Sequence, residues 1–141
     1  MRVGNIVLGT LAYTAVTFPI AVVWHLVLFK EKYAAFGYFT GEPNILLGFI
    51  SILIQGIVLS ALFPRVTFTG TPIGRGLKFS AFIGTFFWTS HVLALVAKQA
   101  VPGAPIFVMM ETGYLVVQFG IFGMLIALIH ERGRSEGSAS R

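Results

Sequence analysis

Four long apolar stretches, residues 6–29, 45–63, 79–97 and 106–129, fill most of this chain, and Glu111 is the only acidic or basic residue within them apart from histidine. A helix needs about 20 apolar residues to cross a hydrocarbon core about 30 Å thick. Each stretch has about that length, and within lipid a single segment can satisfy its own backbone hydrogen bonds only as a helix. The pattern therefore predicts an all-α membrane protein with four transmembrane helices in an up-down bundle.

The composition agrees with this class and leaves room for one domain. Hydrophobic residues make up 56% of the chain and charged residues 11%, whereas about a quarter of the residues in a soluble domain are charged. We expect one transmembrane domain over residues 1–132 and a small, polar, disordered cytoplasmic tail over residues 133–141. Because the chain has no cysteine, disulfides and thiolate metal sites are excluded.

The distribution of Lys and Arg predicts the orientation. The N-terminus, the middle loop and the C-terminus together carry seven of these residues, and the first and third loops carry three. Since basic residues accumulate in short cytoplasmic segments, we expect both termini to lie in the cytoplasm. We expect the chain itself to lie in the inner membrane of the cell. The net charge is +5, but no segment combines clustered basic and aromatic residues as a nucleic-acid-binding surface does. The expected partner of the basic residues is therefore the anionic lipid headgroups on the cytoplasmic side.

Three ionisable side chains on three different helices fall at one depth. At a rise of 1.5 Å per residue, His25 lies about 6 Å, His91 about 9 Å and Glu111 about 8 Å below the outer surface. Charged groups inside a bilayer are costly and normally face the bundle interior, where they pair with each other. We therefore expect His25, His91 and Glu111 to converge. Trp24 and Trp88 lie near the same layer.

This set of side chains allows three interpretations. Two imidazoles and a carboxylate could bind a single transition metal such as Zn, Cu or non-haem Fe. They could instead bind a ligand or carry protons, together with Trp24, Trp88 and the mid-depth Gln55. In the structural interpretation, the histidines bond to neighbouring helices or reach the interface, and Glu111 pairs with Lys98 or the loop.

Three weaker patterns concern helix packing, internal symmetry and the first loop. Glycines on the second and fourth apolar stretches predict that these two helices pack closely together. An offset of 66 residues aligns His25 with His91 and Lys32 with Lys98, which indicates a faint internal duplication. The aromatic side chains of the first loop, residues 30–44, are expected to act as anchors in the membrane interface.

The site pattern leaves several functions open. One hypothesis is an accessory or assembly subunit of a membrane complex, partnered by other membrane subunits or by copies of itself. The second is a membrane component that binds a small ligand. The alternatives are an oligomeric transporter or channel for a small solute or proton, and a membrane metalloenzyme using the His/His/Glu set. No nucleophile and base pair is evident, which argues against an enzyme.

A tryptophan near the outer end of the first helix, a glycine-containing start to the third, and the Phe-Val-Met-Met-Glu-Thr-Gly-Tyr segment at residues 107–114 carry a resemblance. In these features the chain is similar to uncharacterised small four-helix bacterial membrane proteins. The resemblance extends over most of the chain through its topology. It implies the fold, and it implies no catalytic residue.

Overall fold

The computed structural model describes residues 3–39 and 41–139, with side chains as far as residue 131. The described part is helical and contains no strand. In chain order it comprises α1 (Val3–Val22), a π-helical segment (Val23–Leu28), α2 (Lys30–Ala35), α3 (Ile45–Leu62), a 3-10 turn (Phe63–Arg65), α4 (Pro72–Phe87), a second π-helical segment (Trp88–Leu93), α5 (Ala94–Lys98) and α6 (Ala104–Ala139).

Four helices in the described part are long and apolar enough to cross a membrane: Val3–Leu28, Ile45–Arg65, Pro72–Lys98 and Ala104–Glu131. The predicted all-α chain with four such helices is confirmed, and it is compatible with a multi-pass membrane protein. The third begins seven residues before the expected residue 79, because the Thr71 side chain accepts a hydrogen bond from the Gly74 N–H and Pro72 occupies the first turn.

The last helix extends to Ala139, past the expected end at residue 129. The predicted disordered tail over residues 133–141 stays a prediction, and residues 140 and 141 lie outside the described part of the chain.

Contacts between helices show that neighbours run antiparallel. Between α1 and α3, Tyr13 bonds to Gln55 and Phe18 packs on Phe49. Helices α1 and α3 therefore run in opposite directions. Between α4 and α6, Phe119 lies beside Gly84 near the middle of α4. Further along α4, the indole of Trp88 donates to the earlier residue Thr112 of α6.

The bundle is built from two helical hairpins, α1 with α3 and α4 with α6, which are joined through α1 and α6. The predicted close pairing of the second and fourth apolar helices is wrong, since α3 and α6 make few contacts. Their glycines serve other neighbours: Gly56 faces α1, and Gly123 faces α4.

The hairpin α4–α6 is held by a close approach of two backbones. A Cβ added at Gly76 would overlap the carbonyl oxygen of Gly123. At the same end of the bundle Arg75 forms an ion pair with Glu131, 3.3 Å apart. Helix α1 begins and α6 ends at this end, which is called the terminal end. The opposite end is called the loop end.

Candidate functional site

The carboxylate of Glu111 lies at the loop end and is fully buried. Oε1 is 2.9 Å from Nε2 of His25 and accepts a hydrogen bond of 2.5 Å from the Tyr33 hydroxyl. That hydroxyl in turn accepts a bond from the Trp24 indole N–H at 3.0 Å. The first π-helical segment, α2 and α6 therefore meet at one carboxylate oxygen. A buried carboxylate in an apolar bundle is costly unless it is hydrogen-bonded in this way.

The hydrogen bonds of His25 imply that the pair with Glu111 holds one extra proton. Nδ1 lies 2.9 Å from the carbonyl oxygen of Ala21, which can only accept, so Nδ1 carries a hydrogen. Nε2 then either donates to a carboxylate as part of an imidazolium, or accepts from a protonated carboxyl group. In both cases the pair is neutral overall and contains one proton more than a neutral imidazole beside a carboxylate.

Aromatic rings surround the His25 imidazole on several sides. The ring centroids of Tyr33, Tyr114 and Tyr38 lie 4.5, 4.7 and 5.7 Å from it. Such rings exclude water while their π faces attract positive charge. Three tyrosine rings therefore contact the imidazole that pairs with Glu111.

His91 connects this buried pair to the outside of the bundle. Its Nε2 lies 3.6 Å from Oε2 of Glu111, and its side chain is 47% exposed. Oε2 has no hydrogen-bond partner among the described residues, so a small movement of His91 would complete that bond. In the described arrangement His91 instead shares a 2.9 Å hydrogen bond with the hydroxyl of Tyr38.

The first loop folds back over the bundle, which corrects the expectation that its aromatic residues are interface anchors. Tyr33 is fully buried and Phe36 nearly so, and both pack against Phe107 of α6. Burial raises the pKa of Tyr33, with a further increase from its hydrogen bond to Glu111, and burial raises the pKa of Tyr38. Both phenols therefore keep their hydrogens at neutral pH.

Sequence reasoning did not find Tyr33 and Tyr38 as members of the site. A signal for Tyr33 was present, because Tyr33 and Phe36 are three residues apart and so share one face of a short helix. Nothing in the sequence indicated that this helix turns inward to a carboxylate on α6.

Each of the two site histidines lies in a π-helical segment, His25 in Val23–Leu28 and His91 in Trp88–Leu93. In the first, the Phe29 N–H bonds to the Trp24 carbonyl five residues back at 3.1 Å. This wider turn is uncommon and frequently occurs at functional sites. The recurrence at a spacing of 66 residues is consistent with the predicted internal duplication.

A second polar cluster lies deeper in the bundle, near its middle. The Gln118 amide donates to the Tyr13 hydroxyl at 2.9 Å, and that hydroxyl donates to Oε1 of Gln55 at 3.0 Å. Tyr13 and Gln118 are buried, and Gln55 is half-buried. The cluster joins α1, α3 and α6.

A cavity of about 340 Å³ links the two polar groups. Polar side chains at its ends include His25, Tyr38 and His91 near the loop end and Gln55 and Gln118 near the middle. Its walls are mostly apolar and come from all four long helices and the first loop, for example Phe18, Ile52, Phe87 and Leu115.

The six candidate residues thus divide into three groups. The structure brings His25, His91 and Glu111 together, and Trp24 supports them through Tyr33. Gln55 lies at the other end of the same cavity. Trp88 faces elsewhere, since its N–H donates to Thr112 in the groove between α4 and α6. Their roles in ligand or proton binding stay predictions.

The metal hypothesis for His25, His91 and Glu111 receives no support from this geometry. Within the described residues, no group of three or more His, Asp or Glu side chains has an arrangement that could hold a metal ion. The physical reason is pairing: the His25 nitrogen nearest Glu111 bonds to its Oε1, which Tyr33 also occupies.

Comparison with known proteins assigns no family: no protein-family model, no curated protein and no solved structure matches this chain.

Proposed function

We propose that this chain is a small integral membrane protein that binds a small ligand in the cavity between its four long helices. The observation that carries the proposal is the cavity itself, about 340 Å³ in volume, with mostly apolar walls and hydrogen-bonding groups at both ends. Small-molecule sites typically have volumes of about 300–1,000 Å³ and combine apolar walls with a few well-placed polar groups.

The buried pair supports the same proposal. Ionisable side chains such as His25 and Glu111 are costly inside an apolar bundle, and in membrane proteins they mark functional sites by default. His25 of that pair and the half-exposed His91 both line the cavity. Ligand binding and proton exchange would then occur at adjacent groups.

The orientation belongs to the proposal as well. With both termini in the cytoplasm, as the excess of basic residues predicts, the loop end faces the outside of the inner membrane. The terminal end, with Arg65, Arg75 and Lys78, would contact the anionic headgroups of the cytoplasmic leaflet.

Thiol labelling tests ligand binding without knowledge of the ligand. The chain has no cysteine, so Gly48→Cys adds a single thiol on the cavity wall, where an added Cβ meets nothing within 4 Å. A bound ligand should shield this thiol from N-ethylmaleimide in isolated membranes. Exhaustive detergent exchange should remove the ligand and raise the labelling rate about tenfold or more.

The matched control is Leu46→Cys, two residues away on the same helix, on an exposed face that does not line the cavity. The Gly48→Cys rate is read relative to this control, which removes the effect of lipid and detergent on thiol reactivity. Equal changes at both positions would mean that the cavity is empty in the membrane and would contradict the proposal.

A second candidate function is an accessory subunit, and a second groove of the bundle favours it. This groove, of about 620 Å³, lies between α4 and α6 and contains the small residues Ala81, Gly84 and Gly120. Small residues let another helix approach closely in lipid.

We expect Gly120→Phe to convert a dimer of this chain into a monomer when particle masses are measured in nanodiscs. Monomers for both the wild type and the variant would contradict this candidate.

A further inference from the structure

We infer that the ligand is a quinone, a flat ring with two carbonyl oxygens on opposite sides and an apolar tail. The inference rests on the proposed ligand-binding function and specifies its chemical class. It follows from the donors at the two ends of the cavity, the distance between them and the side on which the cavity opens.

One donor is available at the loop end. Tyr38 and a neutral His91 together have two polar hydrogens, and their mutual hydrogen bond uses one of them. If Nε2–H of His91 donates, the phenol hydrogen is left over. If the phenol donates, the hydrogen on Nδ1 is left over. Either way, this pair can donate one hydrogen bond to an acceptor in the cavity.

A second donor is available at the middle of the bundle. Oε1 of Gln55 accepts from Tyr13, and the Gln55 amide nitrogen has no partner among the described residues. Gln55 lines the cavity and is half-buried. An amide N–H₂ in such a place costs free energy unless a ligand or water accepts from it.

The separation between these donors fits a ring. His91 lies at the level of Glu111, and Gln55 is joined through one phenol to Gln118, seven residues further along α6. Seven residues correspond to about 10 Å along the helix, and we take this offset between the two levels as the separation of the donors. Two hydrogen bonds of about 2.9 Å each leave about 5 Å between the acceptor atoms, which is the span of two oxygens across a six-membered ring.

The open side of the cavity accounts for a tail. Helices α3 and α4 make few contacts with each other, and the cavity lies between them, with Ile52 on one side and Phe87 on the other. Near the terminal end the gap is closed by Phe63 and Phe79, whose ring centroids are 5.2 Å apart. A ligand with an apolar tail would enter sideways from the lipid and leave its tail there.

Other lipid-soluble ligands fit this arrangement less well. A fatty acid or a sterol has its polar group at one end only, so the second donor would stay unpaired. A quinone satisfies both donors with one flat ring, and the aromatic walls Phe18, Tyr38 and Phe87 present faces on which the ring can stack.

The test is binding of decylubiquinone to the full chain in nanodiscs, measured by ligand-induced thermal stabilisation and compared with decylbenzene, which has a ring and tail but no carbonyl. We expect decylubiquinone to bind at least tenfold more tightly. Gln55→Leu and the double variant Tyr38→Phe/His91→Phe, which removes both hydrogens of the loop-end pair, should each weaken its binding about tenfold, the factor for one lost hydrogen bond. The matched control Gln99→Leu makes the same change on a residue outside the cavity and should bind as the wild type does.

Equal affinity for the two compounds, unchanged affinity in both variants, or no binding of decylubiquinone would overturn the quinone assignment. The proposed function has its own readout, so the failures are distinguishable. Shielding of Gly48→Cys in membranes together with no quinone binding would mean that the cavity holds a ligand of another class.

Discussion

The buried hydroxyl of Tyr33 makes two hydrogen bonds, and its removal by Tyr33→Phe should lower the free energy of unfolding. The hydroxyl donates to Glu111 and accepts from the Trp24 N–H, and the side chain is fully buried. A hydrogen bond to a charged group contributes about 1.5–3 kcal/mol, and a buried donor left without a partner costs about 1–3 kcal/mol. Taken near their lower ends, these figures predict a loss of about 3 kcal/mol in the free energy of unfolding.

The matched control is Tyr38→Phe, which removes the same atom from a neighbouring ring. The Tyr38 hydroxyl has one partner, the half-exposed His91, and water can replace it. We expect a loss of about 1 kcal/mol, the typical net value of one neutral hydrogen bond. Reversible unfolding of both variants in mixed detergent micelles measures the difference. Equal losses, or a smaller loss for Tyr33→Phe, would refute the reasoning that burial decides the cost.

The pH dependence of stability provides a second readout of the same group. Burial raises the pKa of Tyr33 above the value of about 10 that an unfolded tyrosine has. A raised pKa in the folded state means that this contribution is fully present below pH 10 and is lost as the pH rises from there towards the folded-state pKa. The stability of Tyr33→Phe should therefore fall less steeply than that of the wild type above pH 10.

Three further predictions follow from packing, coupling and orientation. Gly76→Ala places a Cβ against the Gly123 carbonyl and should cost about 1–3 kcal/mol by overpacking, whereas Gly48→Ala, which meets nothing within 4 Å, should be neutral or slightly stabilising in an unfolding titration. The stability losses of Glu111→Gln and His91→Ala should be non-additive by about 0.5 kcal/mol or more in a double-mutant cycle, and additive losses would separate the two residues. A reporter fused to the C-terminus should be active only in the cytoplasm, and activity outside would reverse the proposed orientation.

Hydrophobic pattern and depth predicted the helices and the central group of the site, because both depend on distance along a helix axis. The four spans follow from apolar length, and the common level of His25, His91 and Glu111 follows from a fixed rise per residue. The error at the start of the third span arose because the Thr71 cap and Pro72 extend the helix through a polar segment.

The sequence could not predict how the helices pair or where the first loop lies. Glycines permit close contact but do not specify which helix makes it, so Gly56 and Gly123 were assigned to the wrong neighbours. The inward turn of Tyr33 depends on one long-range hydrogen bond to Glu111, 78 residues away. Such a contact has no local periodicity by which it could be recognised.

The measurement that most directly tests the central claim is mass spectrometry of the small molecules extracted from protein purified in lipid nanodiscs. Gly48→Phe would fill the cavity, and Leu46→Phe adds the same ring at the same depth on an exposed face. A ligand-binding protein predicts one compound at near-stoichiometric amount in the wild type and in Leu46→Phe, and its loss in Gly48→Phe. The same small molecules in all three, with none enriched above the nanodisc lipid, would contradict the claim that this cavity binds a ligand.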